Sequence, residues 1–271
     1  LIVLALPTLL HKAGLHPEYH GEIAQVPAGK RALIIATNNS VLSAPGETSG
    51  DATGVMASEM THPYYNFLDA RMEVDIASIK GGEIPVDPQT LSRIVRTPED
   101  DRFLADSIFL AKVKNSLTIV DVDVTQYDII FIAGGWGAAY DLGYSTELGE
   151  KITEAYYADK QAVIGGVCHG VLGLIKAKDR DGNLLIAGRR MTGVTDKQIK
   201  ELGIIDITPQ HPEAELRKAG VIFESQTAFR DLFATHVVVD DEERFVTGQN
   251  QNSGHETAQK MMAIVAKNSM L

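Results

Sequence analysis

Only one cysteine, Cys168, occurs in the 271 residues. No disulfide can form within the chain, so the fold needs no oxidising compartment and the thiol is free for chemistry. A reducing cytoplasm is the expected location. Basic charge is also short, with 25 Lys plus Arg against 36 Asp plus Glu and a net charge of −11. That balance repels phosphate backbones and anionic bilayers, and no Lys/Arg tract interleaved with aromatics offsets it. Neither nucleic acid nor a membrane is an expected partner. Membrane-spanning hydrophobic runs are missing as well. The apolar opening LIVLALPTLL is about ten residues long, too short to cross a bilayer, and is followed by His11 and Lys12. It reads as a short helix docking on the domain. Because the chain does not begin with Met, a piece upstream is expected, a cleaved targeting segment being one source. Internal repeats, low-complexity tracts and long Ser/Gly linkers are absent, which argues against two independent domains.

What is present is ordinary globular composition, 44% hydrophobic and 23% charged. From Arg31 onward, short β-branched runs alternate with amphipathic stretches, the pattern of a parallel sheet covered by helices on both faces. Strands are expected at 32–37, 73–78, 129–133, 162–167, 236–240 and 245–248, and helices at 54–70, 147–158, 170–174, 195–201, 212–219 and 254–266. The fold class that follows is α/β, a flavodoxin-like doubly wound parallel sheet in a three-layer sandwich. Residues 1–30 form an N-terminal extension on a domain spanning 31–271. Residues 87–120, polar and helical in pattern, form an inserted cap. In such sheets ligands bind beyond the carboxyl ends of the strands.

Cys168 stands at such an end. The buried run AVIG leads into Gly165-Gly166-Val167-Cys168-His169-Gly170, and VLGLI starts a helix. Small residues on both sides permit the strained backbone of a strand-to-helix elbow. A thiol at a helix N-terminus is expected to ionise readily. Ala133-Gly134-Gly135-Trp136-Gly137 follows the preceding strand, where bare amides can stabilise an oxyanion. Glu59 sits in a helix otherwise made of small and apolar residues, an uncomfortable place for an idle carboxylate.

The GxCHG elbow, AGGWGAAYDL at 133–142, EVDIASIKGGEIPVDP at 73–88 and RFVTGQNQNS at 244–253 together resemble the ThiJ/PfpI superfamily, relatives of the class I glutamine amidotransferases. The resemblance runs from about residue 31 to the C-terminus. It implies that Cys168 is the nucleophile, that Glu59 faces it, and that His169 belongs to the site. It also implies a third member near MTGVTDKQIKELG, either Asp196, with Glu201 as a fallback, or none. The family often has His where this chain has Trp136.

Among the superfamily's branches, the chain looks like the glutathione-independent glyoxalases, which convert methylglyoxal and water to lactate and are often described as stress chaperones or deglycases. That resemblance implies a small aldehyde substrate, no cofactor, no metal and a homodimer. Gly134, Gly135, Trp136 and Gly137 would bind the oxyanion and substrate. His62 and the aromatics Tyr64 and Tyr65 would line the pocket. Two other readings stay open, a cysteine peptidase or amidase and a holding chaperone or redox sensor. A glutamine amidotransferase is disfavoured, since in NQNSGHE His255 stands directly before Glu256. His11, His16 and His20 with Glu22 are irregularly spaced for a metal site. His255 opens the last helix, either capping it or approaching the site.

Overall fold

Strand β1, Arg31–Ala36, is a run of β-branched and aliphatic residues buried from Ala32 onward, as a central parallel strand must be. In the computed structural model, which describes residues 2–270, it pairs in parallel with β2 (Glu73–Ser78) on one side. A short edge strand β3 (Leu117–Thr118) continues beyond β2. On the other side of β1 lie β4 (Ile129–Ile132) and β5 (Val163–Val167), also parallel. Then β7 (Phe245–Gly248) pairs parallel with β5, and β6 (Val237–Val239) closes the edge antiparallel to β7. The sheet order is therefore β6-β7-β5-β4-β1-β2-β3. The chain leaves β1 toward β2 and returns to β4 on β1's opposite side, so the topological switch lies between β1 and β4, where doubly wound sheets bind ligands.

Alternate residues of the strands feed two cores. Ile34, Phe131 and Val246 face one layer with Met60, Phe67 and Met261. Leu33, Ile35, Ile130 and Ile132 face the other with Leu148 and Leu172. The first layer is built on two helices that pack together, α2 (Ala57–Asp69) and α8 (Gly254–Asn268). Helix α5 (Thr146–Tyr157) serves the second, capped by Ser145, whose hydroxyl accepts from the Leu148 amide.

The expected strands and helices lie within a few residues of those observed, with three differences. Edge strand β6 is antiparallel. The stretch after Cys168 is a 3-10 helix, Cys168–Leu174, not an α-helix. Residues 87–120 contain α3 (Pro98–Ala105), α4 (Ser107–Lys114) and β3, so this stretch extends the sheet as well as lying over it. Between α5 and β6 lie the short helices α6 (Asp196–Glu201) and α7 (Pro212–Lys218).

The chain before β1 begins with α1 (Ile2–Lys12) and is strapped across the first layer. The Asn252 amide donates to Gly14 O, the His16 amide donates to Asn252 Oδ1, and the Ala24 amide donates to Gln259 Oε1. His16 Nε2 meets Ser58 Oγ at 3.1 Å, one residue from Glu59. His16 also packs edge-on against His62, which stacks on His255 at 3.9 Å. No helix among the described residues is long and apolar enough to cross a membrane.

This histidine junction is sensitive to acid. Burial, then repulsion from neighbouring imidazoles, lowers His16 to about 3 and His62 well below its ordinary value. Below about pH 6.5 the unfolded chain takes up protons that the fold refuses. Fully buried His62 therefore removes about 1.4 kcal/mol of stability per pH unit there, and nothing above that range. Buried carboxyls such as Asp141, raised to about 6, act in the opposite sense, so the clean measurement is a difference. His62→Gln should flatten the fall of the urea midpoint between pH 7 and 5 relative to the unmodified chain. Parallel curves for the two proteins would show that His62 does not carry the effect.

Candidate active site

β5 delivers Cys168 to the carboxyl edge of the sheet at φ +57°, the left-handed region that costs a side-chain-bearing residue about 1–2 kcal/mol. The turn throws the sulfur off the strand axis, under the loop that leaves β4. Cys168 Sγ lies 3.5 Å from Nδ1 of His169, and both residues are buried. Glu59, in the first turn of α2 and fully buried, faces the thiol from the first layer. Neither of its oxygens has a hydrogen bond of normal geometry; the carboxyl instead abuts the thiol and the amides of Gly134 and Gly135. A buried carboxyl left so poorly partnered is rare in a merely structural role.

The glycines after β4 make this approach possible. A Cβ on Gly134 would lie 2.5 Å from Glu59 Oε2 and 2.8 Å from the amides of His169 and Gly170. Gly135 has φ +99°, and a Cβ there would lie 2.6 Å from Gly54 O. The loop can therefore carry no side chain at either position.

Charge in this space is restrained. Burial pushes Glu59 up to about 8, against the pull of the thiol and the two amides. Burial also pushes the Cys168 thiol well above its ordinary value, and Glu59 opposite raises it further, while the amides of His169 and Gly135 favour the thiolate. The expected lowering of the thiol pKa is thus overturned, because a dry site outweighs the dipole of a short 3-10 turn. His169 is lowered by burial to about 3 and is a neutral imidazole at physiological pH.

The other expected site residues divide. Gly135 and Trp136 join Cys168 and His169 in the wall of a cavity of about 290 Å³. The Gly137 amide is spent on Gly54 O, so it is no oxyanion donor. The amides facing the sulfur are those of His169 and Gly135. Asp196 opens α6 beside Glu213 and makes no hydrogen bond to His169; its Oδ1 and His169 Nε2 are both buried without partners. Glu201 accepts from the Asp231 amide and pairs with Lys197, which removes the fallback. No acid among the described residues holds His169, and the connected core of the site is Cys168, Glu59 and His169.

His62 is not in the cavity wall. It points away into the histidine junction, because it lies one helical turn beyond Glu59 in a helix buried on several sides. Tyr64 stacks on Phe109 and Tyr65 donates to Asp106, so both are core residues beside α4. Ligand atoms of His62, Glu99 and His255 come within 4.8 Å of one another, but their lone pairs do not converge on an ion. The two rings are stacked only 19° from parallel. The Asn66 amide donates to His255 Nδ1, leaving the proton on Nε2, and His62 Nε2 meets the Thr97 hydroxyl, which is itself bonded to Asp100. Of the N-terminal residues considered for a metal, His11 packs tilted against His16 while His20 is exposed beside Glu18.

Leu10 and Leu15, from the N-terminal stretch, also line the cavity. Sequence reasoning missed them, and nothing in an apolar opening tells which residues cover a site. Asp87, Gln89, Thr90 and Val95 do so from the stretch that precedes α3.

A model of the DJ-1/PfpI family matches residues 52–264. A probable glutathione-independent glyoxalase of Schizosaccharomyces pombe is 27% identical, over 89% of this chain and all of that protein. A glutathione-independent glyoxalase of Saccharomyces cerevisiae is 30% identical, over 85% of this chain and 96% of its own. Among solved structures, the rapid encystment protein of Francisella tularensis superposes with a TM-score of 0.78 at 33% identity, covering 87% of this chain and 99% of that one. Glyoxalase III of Candida albicans superposes with a TM-score of 0.76 at 27% identity, covering 86% and 96%.

The mutual repulsion of a Cys168 thiolate and a Glu59 carboxylate gives a direct test. Alkylation of the unmodified protein by iodoacetamide should rise with pH through a midpoint above that of a free cysteine. Glu59→Gln, which removes the facing charge, should move that midpoint down. An unmodified protein alkylated like an ordinary thiol would contradict the buried pair.

Proposed function

The chain belongs to the DJ-1/PfpI family, and from that premise we propose that it is a cysteine-dependent, glutathione-independent glyoxalase converting methylglyoxal and water to lactate. The observation that carries this reading is the buried Glu59 carboxyl facing Cys168, raised to about 8. It is a base poised to move a proton at carbon. Acyl transfer to water from a peptide bond asks for a histidine oriented by an acid, and no such acid touches His169. The names of the relatives support the same choice.

Each residue has a place in the sequence of steps. Cys168 Sγ adds to the aldehyde carbon while its proton passes by way of Glu59 to the aldehyde oxygen, giving a hemithioacetal. The amides of Gly135 and His169 stabilise negative charge on that oxygen as it develops. Glu59 carboxylate takes the proton from the former aldehyde carbon, producing an enediolate; the hydroxyl proton on the first carbon's oxygen passes to the second carbon's oxygen, and Glu59 returns its proton to the second carbon. The product is a thioester of lactate on Cys168. Neutral His169 accepts a proton from water as it attacks the thioester, and the thiol is restored as lactate leaves. Methylglyoxal plus one water equals lactic acid, so no electrons enter or leave. The steps draw on side chains and backbone amides alone.

The proton shuttle must be ionised to start. The kcat/KM for methylglyoxal should therefore rise from pH 6 with an apparent pKa near 8 and level off above it. Lactate should form without added glutathione, and Cys168→Ala and Glu59→Gln should each lower kcat/KM by about a hundredfold or more. Undiminished lactate formation by either variant would remove the mechanism.

A further inference from the structure

The cavity is larger and drier than methylglyoxal requires. Its volume is about 290 Å³, close to the lower end of cavities that enclose drug-sized ligands, whereas methylglyoxal has five non-hydrogen atoms. Once its aldehyde is at Cys168 and its keto group beside Glu59, a single methyl is left to fill the remainder. That remainder is walled by Leu10, Leu15, Met56, Trp136, Val194 and Phe233.

The polar side chains in the wall are mostly committed to partners within the protein. Asp87 accepts from Thr53 and from the Gln89 amide, and the Thr90 hydroxyl donates to Asp87 O. Gln198 donates to Gln251 and accepts from Asn250, while Gln251 donates to Leu232 O. No Lys or Arg is among the lining residues. A carboxylate, a phosphate or a sugar's hydroxyls would lose water there and gain no partner in return.

We infer that this site selects 2-oxoaldehydes bearing a bulky apolar substituent, branched alkyl or aryl, over methylglyoxal, with Leu10 and Leu15 as specificity-determining residues. The inference rests on the glyoxalase reading of the same site. The reacting end stays where Cys168, Glu59 and the two amides hold it, and the substituent extends under the N-terminal stretch. Leu15 is itself 5% exposed, so its side chain belongs to the wall and not to the solvent. For phenylglyoxal the balance is unchanged in kind: one water is consumed and mandelate is formed.

Two measurements test this separately from the reaction itself. First, kcat/KM for phenylglyoxal should exceed that for methylglyoxal by about tenfold or more. Leu15→Asn should lower the ratio several-fold, a comparison in which the intrinsic reactivity of each aldehyde cancels. Second, Trp136 is the chain's one tryptophan and lies in the wall, so its emission reports occupancy without turnover. Cyclohexyl methyl ketone should shift that emission saturably, with a Kd at least tenfold below that of acetone, and Leu15→Asn should weaken the binding. Equal binding of the two ketones, or a phenylglyoxal ratio near one, would overturn the inference even if methylglyoxal is turned over. Turnover of neither aldehyde with the ketone preference intact would instead remove the glyoxalase reading and leave the apolar selectivity standing.

Discussion

Two acids that burial denies a full charge, the Cys168 thiol and the Glu59 carboxyl, face one another at the carboxyl edge of the sheet. Each makes ionisation of the other harder, and the space between them has room for one negative charge at most. Much of the surrounding chain follows from keeping that arrangement. Gly134 carries no side chain because a methyl would enter the gap between Glu59 and the His169 amide. Cys168 takes a left-handed φ because only that bend brings its sulfur beneath the β4 loop. α2 begins with buried residues and no capping side chain, which places Glu59 inside the layer instead of at a solvated helix start.

The same dryness explains the N-terminal stretch. A pocket open to water would let Glu59 ionise in the usual carboxylate range and would relax the thiol with it. Leu10 and Leu15 close that route, and the ties from Gly14, His16 and Ala24 to Asn252 and Gln259 hold the stretch in place. The junction ends at Ser58, next to Glu59, so the segment that covers the cavity and the helix that carries Glu59 are fastened at one point. Buried neutral histidines serve this purpose well at neutral pH, because they pack as aromatic rings while satisfying hydroxyl partners. The cost of keeping them uncharged is felt only in acid.

How much of this could be read from the sequence depends on the range of the interaction concerned. The elbow is readable because it is local: a buried strand, two glycines, the cysteine and a turn occupy adjacent positions. Glu59 stood out through its apolar neighbours, a helical-period signal. What could not be read were contacts set by three-dimensional register. His62 follows Glu59 by three residues and was expected in the same pocket, yet α2 is buried on several sides and one turn suffices to send it into a different cluster. Asp196 was placed near His169 by resemblance, while the actual direction of α6 pairs its amide with Glu213. The thiol pKa departs from expectation for another reason, since a helix terminus is visible in sequence but the depth at which it is buried is not.

The absence of an acid behind His169 bears on how the imidazole works. A histidine locked by a carboxylate becomes a strong base and gains from holding a full positive charge. His169 is lowered to about 3 and has a bare, buried Nε2, so it resists carrying that charge for longer than a transfer takes. Such a ring can relay a proton or accept a hydrogen bond, but it is poorly suited to generating a standing thiolate against an unreactive amide. An aldehyde asks less, because its carbon is electrophilic enough to draw in a thiol whose proton leaves as the bond forms. The base that the chemistry then requires must act at carbon and both take and return a proton. Glu59, with its pKa near 8 and its carboxyl loosely partnered beside the sulfur, is the group in the site with those properties.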